Sequence, residues 1–95
     1  MLSNLWMKYK ITTSKGYAKK AAKFLKIHPQ LANVYLKTLR LLERNPRHPS
    51  LRLHKLKGRK CFSVSINMSY RIILNFIIKD HEIFLIDIGN HNQIY

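Results

Sequence analysis

Residues 62–88 have the sequence FSVSINMSYRIILNFIIKDHEIFLIDI. Three β-rich runs make up this stretch, at 62–67, 70–78 and 82–88, and short turn segments separate them. Runs rich in β-branched and aromatic residues, joined by short turns, predict consecutive antiparallel strands. We therefore expect a three-stranded meander here, around which the rest of the chain packs.

The first run alternates between apolar and polar residues: Phe62, Val64 and Ile66 on one side, and Ser63, Ser65 and Asn67 on the other. Because successive side chains of a strand point to opposite faces of the sheet, one face should be apolar and the other polar. We expect helices to cover the apolar face. The polar face is then the predicted binding surface.

A strand and two helices are predicted before the meander. The strand lies at 5–12, and Ser14 after it is a good N-cap for the first helix. Apolar residues recur with helical spacing over 17–25. Pro29 begins the second helix, which continues on a similar apolar stripe until Pro46 ends it.

Residues 51–57, LRLHKLK, alternate again, and Gly58 follows them as a turn signal. A further strand here gives the element order β-α-α-β-β-β-β. We therefore predict an α+β fold, in which an antiparallel sheet of four to five strands is packed on one face by the N-terminal helical hairpin. Residues 1–95 are expected to form a single domain, because this length supports one modest core.

The charge composition is strongly basic: 18 Lys and Arg against four Asp and Glu give a formal net charge of +14. A domain this basic is suited to binding polyanions. Four carboxylates leave little for carboxylate acid–base catalysis or for binding hard metal ions. We expect any chemistry to use His, Tyr, Arg and Lys side chains.

Cysteine, histidine and hydropathy patterns indicate the environment of the protein. Cys61 is the only cysteine, which excludes an internal disulfide and fits a reducing cytoplasm. The histidines form no close ligand pair, so we expect no metal and no cofactor. The longest apolar stretch, 72–78, is far below the roughly 20 residues of a membrane span, so we expect a cytoplasmic protein without a membrane partner.

Arg71 is the only charged residue between Lys60 and Lys79, and it lies within an otherwise apolar strand. An arginine in such a position needs a carboxylate, a carbonyl or an external anion. It could reach solvent at a sheet edge or pair with Asp87, or it could bind a phosphate through two parallel hydrogen bonds. Both interpretations are open from these residues alone.

Several residues near Arg71 are candidate substrate ligands. Strand parity places Asn75 on the same face as Arg71, and a short hairpin would bring Ser63 and Ser65 close to the guanidinium. A phosphate held by Arg71 would then also meet hydroxyl and amide groups.

Two other segments carry candidate residues. His54 lies on the basic strand beside Lys55 and Lys57, and it is either a solvated histidine or a catalytic one, with the two lysines as substrate ligands. The C-terminal segment GNHNQIY, 89–95, places His91 and Tyr95 in the last seven residues. A histidine can act as either acid or base near neutral pH.

Three segments together resemble the RelE/ParE superfamily of bacterial toxin–antitoxin toxins: HPSLRLHKLKG (48–58), FSVSINMSYRIIL (62–74) and LIDIGNHNQIY (85–95). The likeness follows the order of the elements and extends over almost the whole chain.

The ending is most similar to that of the YafQ and RelE-type ribonucleases. Their Gly-x-His pattern, with Phe or Tyr four residues after the histidine, matches Gly89, His91 and Tyr95. Arg71 matches the arginine of the family's Tyr-Arg strand motif, and His54 lies where the YafQ branch has a catalytic histidine. The resemblance implies that Tyr95 stacks on a base or orients the scissile phosphate.

The RelE branch has two lysines in the strand where this chain has Ser63 and Ser65. This departure favours a histidine-based mechanism. The resemblance implies a metal-independent endoribonuclease that cleaves mRNA, on the ribosome, and so inhibits translation. Within it, His91 and His54 would be the general acid and base, and Arg71 would stabilise the transition state.

The resemblance also implies partners. A toxin of this kind forms a hetero-oligomer with a cognate antitoxin, which is typically acidic, and its basic helices would dock against ribosomal RNA. Two other functions remain open from the sequence. One is a ParE-like inhibitor of DNA gyrase without ribonuclease activity, and the other is a non-catalytic RNA- or DNA-binding module.

Overall fold

The computed structural model describes residues 8–94, and in the last helical turn it describes the side chains of Asn92 and Ile94. Five strands and three α-helical segments follow one another along the chain: β1 (Lys10–Thr13), α1 (Lys15–Ile27), α2 (Ala32–Arg44), β2 (His54–Lys55), β3 (Phe62–Ser65), β4 (Tyr70–Ile77), β5 (Glu82–Asn90) and α3 (His91–Ile94). Single 3₁₀ turns lie at Pro29–Leu31, Pro49–Leu51 and Ile78–Asp80. No helix in this part of the chain is long and apolar enough to cross a membrane.

The helical hairpin begins and ends at the residues that the sequence predicts. The Ser14 hydroxyl accepts a hydrogen bond of 3.0 Å from the backbone N–H of Tyr17, which caps α1. The backbone N–H of His28 closes the helix on the carbonyl of Phe24, and Pro29 then starts the turn into α2. The predicted cap and break are therefore confirmed.

A buried pair of tyrosines joins the two helices. The hydroxyl oxygens of Tyr17 and Tyr35 lie 2.6 Å apart. Burial, with the hydrogen bond between them as a second cause, raises the pKa of the Tyr17 hydroxyl far above its usual value. Burial also raises the pKa of Tyr35. Both hydroxyls therefore stay neutral, and the shared hydrogen bond fixes α1 against α2.

The sheet has five strands in the order β1-β5-β4-β3-β2. The predicted meander is confirmed: β3 pairs antiparallel with β4, and β4 pairs antiparallel with β5. The α+β fold class is likewise confirmed. One detail differs, because β1 runs parallel to β5 and makes the sheet mixed rather than wholly antiparallel. A strand-like pattern does not reveal the direction of its non-local partner.

A β-bulge interrupts the pairing of β4 with β5. Ile73 is opposite Asp87 and Leu74 is opposite Leu85, so Ile86 is an extra residue in β5. Leu85 and Ile88 both lie in the helix-covered core. They are three residues apart, and in a regular strand such positions point to opposite faces of the sheet. The bulge absorbs this break in alternation.

The predicted strand at 51–57 is mostly wrong. Pro49–Leu51 forms a 3₁₀ turn, and Arg52 after it adopts a left-handed conformation with φ of 48°. Only His54 and Lys55 pair with β3. The other boundary that shifts is β1, which covers Lys10–Thr13 rather than 5–12; residues 5–7 lie outside the described part of the chain.

Helices α1 and α2 cover one face of the sheet, as expected. The core on that side contains fully buried side chains from β3, β4 and β5: Val64, Ile72, Leu74, Ile83 and Leu85. The opposite face was expected to be the polar one, and it is polar only in part. It carries a second apolar cluster: Leu56, Cys61, Ile73 and Ile94, with Ile86 packed against it.

Candidate functional site

Arg71 lies near the start of β4, between Ser65 of β3 and Gly89 of β5. Its side chain extends across β3 toward β2. The Nε atom donates a hydrogen bond of 2.9 Å to the Ser63 hydroxyl, and Nη2 donates one of 3.0 Å to the backbone carbonyl of Arg52. Two donors on a planar group are thereby fixed, which sets the plane of the guanidinium.

These partners exclude an ion pair of Arg71 with Asp87, one of the interpretations that the sequence leaves open. Asp87 does not pair with it: one carboxylate oxygen of Asp87 accepts from Lys20 Nζ at 2.7 Å and from the backbone N–H of Ile88. The hydroxyl and carbonyl partners of Arg71 are neutral, so they orient its charge without neutralising it. An oriented guanidinium with no carboxylate partner among the described residues is suited to binding a phosphate.

His54 is the third group of this cluster. Its Nδ1 atom lies 3.3 Å from Arg71 Nη2 and 3.3 Å from the Arg52 carbonyl oxygen. A guanidinium only donates hydrogen bonds and a carbonyl only accepts them. Nδ1 therefore bonds to Arg71 when it has no proton, and to the Arg52 carbonyl when it carries one.

The choice between these two bonds fixes the chemistry of the other ring nitrogen. When neutral His54 accepts from Arg71 at Nδ1, its proton is on Nε2, which is then a donor. When Nδ1–H donates to the Arg52 carbonyl, Nε2 of the neutral ring is an acceptor and can take a proton. The Arg71 contact leaves Nε2 as a hydrogen-bond donor, and the Arg52 contact leaves it as the proton acceptor that a general base requires.

Arg52 was not among the residues that the sequence singled out. Its left-handed backbone turns its carbonyl toward Arg71 and His54. A non-glycine residue in this conformation costs about 1 kcal/mol. In the sequence, Pro49 is the only sign of the turn that leads to this conformation at Arg52, because proline favours the first position of a turn.

The two serines of β3 have different roles. Ser63 is fully buried and contacts Arg71 directly. The Ser65 hydroxyl instead donates to the carbonyl of Asn67 at 2.6 Å, within the β3–β4 turn. The Asn67 side-chain oxygen accepts from the backbone N–H of Tyr70, which completes that turn. Ser65 supports the hairpin, whereas Ser63 orients the guanidinium.

The remaining predicted ligands are not gathered around Arg71. Asn75 is opposite Phe84 in β5 and lines a separate cavity together with Tyr9 and His81. Lys55 and Lys57 are exposed, and they line a cavity of about 380 Å³ that is formed by residues 55–60. His54 and Lys55 are consecutive in β2 and so point to opposite faces.

The C-terminal turn folds back over the Arg71 face. Ile94 is only 7% exposed and packs against Leu56, Cys61 and Ile73. The backbone of α3 starts directly after Asn90, the partner of Tyr70 in β4. The side chain of His91, and Tyr95 entirely, lie outside the described residues.

Among the side chains that the structure describes, which do not include His91, no three His, Cys, Asp or Glu residues are close enough to hold a metal ion. The Arg71 cluster offers a fixed guanidinium beside an imidazole.

The fold is shared with solved toxin structures. No protein-family model and no curated protein matches the chain. The chain is 18% identical to a toxin in the Escherichia coli DinJ–YafQ toxin–antitoxin complex, with a TM-score of 0.74, and the match covers 94% of this chain and 99% of that one.

Two further structures are similar over comparable lengths. A metal-bound toxin from Helicobacter pylori is 22% identical with a TM-score of 0.70, and the match covers 92% of this chain and 99% of that one. The archaeal RelE–RelB complex from Pyrococcus horikoshii is 20% identical with a TM-score of 0.71, at the same coverage of 92% and 99%. The chain therefore has the fold of the RelE/ParE type of toxin–antitoxin toxins.

Proposed function

We propose that the chain is the toxin of a type II toxin–antitoxin system and acts as an endoribonuclease on mRNA. The observation that carries this proposal is the Arg71 cluster. A guanidinium held by Ser63 and the Arg52 carbonyl lies 3.3 Å from His54, on the face over which the C-terminal turn folds. RNA cleavage by attack of the 2′-hydroxyl on the adjacent phosphate needs a group that transfers protons and a cation that stabilises the phosphate, and an imidazole beside a fixed guanidinium provides both.

In the proposed reaction, a general base takes the proton of the 2′-OH, and the 2′-oxygen attacks the adjacent phosphorus. The P–O5′ bond breaks, and a general acid protonates the leaving 5′-oxygen. We assign the acid and base roles to His91 and His54. Arg71 would stabilise the negative charge of the pentavalent phosphate, and Tyr95 would stack on a base.

The ribosome is the proposed place of cleavage. Helix α1 carries five exposed lysines: Lys15, Lys19, Lys20, Lys23 and Lys26. Such a surface binds the phosphates of RNA without sequence specificity and with a strong salt dependence. We propose that it docks on ribosomal RNA while mRNA reaches the Arg71 face.

We also propose an acidic antitoxin as the partner of this toxin. The E. coli and Pyrococcus horikoshii structures are toxin–antitoxin or RelE–RelB complexes, and a Staphylococcus aureus structure of the same fold is a YoeB–YefM complex. The net charge of +14 favours association with an acidic protein.

The decisive experiment is induced expression followed by mapping of mRNA 5′ ends. Cuts in a fixed phase with the codons, absent for Arg71→Ala, would support a ribosome-dependent ribonuclease. DNA damage without mRNA cuts would instead support a gyrase inhibitor, and RNA binding without either effect would support a non-catalytic module. Off the ribosome, purified protein in excess over RNA should still cleave it slowly with a chelator present, and it should leave DNA of the same sequence intact, because DNA lacks the 2′-hydroxyl.

A further inference from the structure

A groove with both aromatic and cationic walls lies on the helix-covered side of the sheet. It has a volume of about 340 Å³ and runs between the second half of α1 and the ends of β4 and β5. Lys23 and His28 line it from the helix side, and Tyr70 and Asn90 line it from the sheet. None of these residues belongs to the Arg71 cluster.

Three rings form the aromatic wall of this groove. The rings of Phe24 and Tyr70 meet edge-on with centroids 5.0 Å apart, and His28 lies 4.9 Å from each of them. Phe24 is buried at 8% exposure and supports the other two from behind. His28 and Tyr70 are half-buried, so parts of their rings are accessible from the groove.

The position of His28 is fixed by the local backbone. Its N–H closes α1 on the Phe24 carbonyl, and the following Pro29 disfavours a helical conformation at His28, whose φ is −121° and ψ is 62°. In the fold it is held as a rigid platform at the end of the helix.

Two lysines of α1 line this groove, and so does Asp87. Lys20 pairs with Asp87 at 2.7 Å, while its side chain remains 61% exposed. Lys23, one turn further along α1, is exposed at the groove beside His28. An exposed cation next to accessible ring faces is the arrangement that proteins use for single-stranded nucleic acid.

The groove is adjacent to the Arg71 cluster along the chain but lies on the opposite face. Tyr70 and Arg71 are consecutive in β4, so their side chains point to opposite faces of the sheet. The α3 turn packs through Ile94 on the Arg71 face. A bound RNA strand that passes over this end of the sheet would contact Arg71 on one face and the groove on the other.

We infer that the groove binds an unpaired nucleobase of the same RNA strand whose scissile phosphate Arg71 holds. The base stacks on His28 and Tyr70, and Lys23 contacts a flanking phosphate. This inference rests on the proposed function, since it names a further subsite for the same RNA. It adds a binding determinant at a distance from the chemistry and assigns His28 to it.

The test uses purified protein and a single-stranded RNA whose riboses are 2′-O-methylated, so that it binds without being cleaved. Fluorescence anisotropy at fixed salt gives the Kd for each variant. We expect His28→Ala to weaken binding roughly tenfold, the effect of losing one base–ring stack, and His28→Phe to retain most of the affinity.

Lys26→Ala is the matched control for Lys23→Ala. Both variants remove one charge from the same helix, but Lys26 does not line the groove. We expect a larger loss of affinity for Lys23→Ala than for Lys26→Ala. Equal losses would mean that only net charge matters, and would overturn the inference.

A scan of abasic nucleotides along the RNA locates the stacked base. At one position the abasic RNA should bind wild-type protein and His28→Ala with the same Kd, because the stack is already absent. If the difference between the two proteins persists at every position, no base stacks on His28. If Lys23→Ala weakens binding of poly-glutamate and leaves RNA binding intact, the groove is a protein site and the inference is wrong.

The failure of this inference is distinguishable from failure of the proposed function. Wild-type protein that cleaves unmodified RNA, together with unchanged RNA binding by His28→Ala, would overturn the subsite alone. Wild-type protein that neither binds nor cleaves RNA would overturn both.

Discussion

Nη2 of Arg71 lies 3.3 Å from Nδ1 of His54, and this contact is a hydrogen bond only while Nδ1 has no proton. The position of one proton on the imidazole is therefore coupled to the placement of the guanidinium. We expect Arg71→Ala to shift neutral His54 toward the tautomer with a proton on Nδ1, which donates to the Arg52 carbonyl. The ¹⁵N chemical shifts of the His54 ring measure this change, and unaltered shifts would contradict it.

Replacing Arg71 by lysine tests whether geometry or charge matters. A lysine keeps the charge but cannot donate to Ser63 and the Arg52 carbonyl from one planar group. We expect Arg71→Lys and Arg71→Ala both to lower the single-turnover rate of RNA cleavage, by about 10²- to 10³-fold. Cleavage by Arg71→Lys at the wild-type rate would show that a point charge suffices.

The two serines of β3 provide a matched pair of substitutions. Ser63→Ala removes the hydroxyl that accepts from Arg71 Nε, a bond worth about 1 kcal/mol. If that loss is felt in the transition state, cleavage slows by about fivefold. Ser65→Ala removes the bond to Asn67 in the turn and should change stability but not the cleavage rate. Equal rate losses for both would argue against a specific role of Ser63.

The left-handed backbone at Arg52 predicts an unusual preference for glycine. Arg52→Gly should have a free energy of unfolding higher than that of Arg52→Ala by about 1 kcal/mol, because glycine has no Cβ to strain. Arg40, exposed in the middle of α2, is the control: there the glycine variant should be the less stable one by about 1 kcal/mol. Urea denaturation of the four variants measures both differences.

The buried tyrosine pair predicts loss of stability in alkali. The pKa of Tyr17 is raised in the folded state, so the unfolded chain loses that proton first as pH rises. The contribution of the pair to stability is complete below pH of about 10, the ordinary tyrosine pKa, and declines above it. In a double variant, Tyr17→Phe with Tyr35→Phe, the unfolding free energy should decline less steeply between pH 9 and 11. The slopes of the two proteins against pH should differ by the amount that corresponds to about one to two protons. Parallel curves for the two proteins would contradict this account.

Local patterns in the sequence predicted much of the fold. The N-cap at Ser14, the break at Pro29 and the three strands of the meander depend on neighbours within a few residues, and all of them are confirmed. The direction of β1 and the short length of β2 depend on partners that are distant in the chain. No periodicity within the strands themselves carries that information.

The residues of the candidate site likewise include some that local sequence patterns predict and one that they do not. Arg71 and Ser63 could be brought together from strand parity and a short hairpin, and they are in contact. Arg52 could not, because its role depends on a left-handed backbone that few non-glycine residues adopt. The roles of His54, His91 and Tyr95 in catalysis stay predictions.

The extra residue in β5 has a consequence for how this chain tolerates changes in length. An insertion or deletion within a regular strand exchanges the faces of every residue beyond it. At the bulge, removal of Ile86 would restore regular pairing and still leave Ile88 in the core and Gly89 opposite Arg71. Length variation in β5 should therefore be accepted at the bulge, whereas a deletion at Phe84 would move Leu85 out of the core.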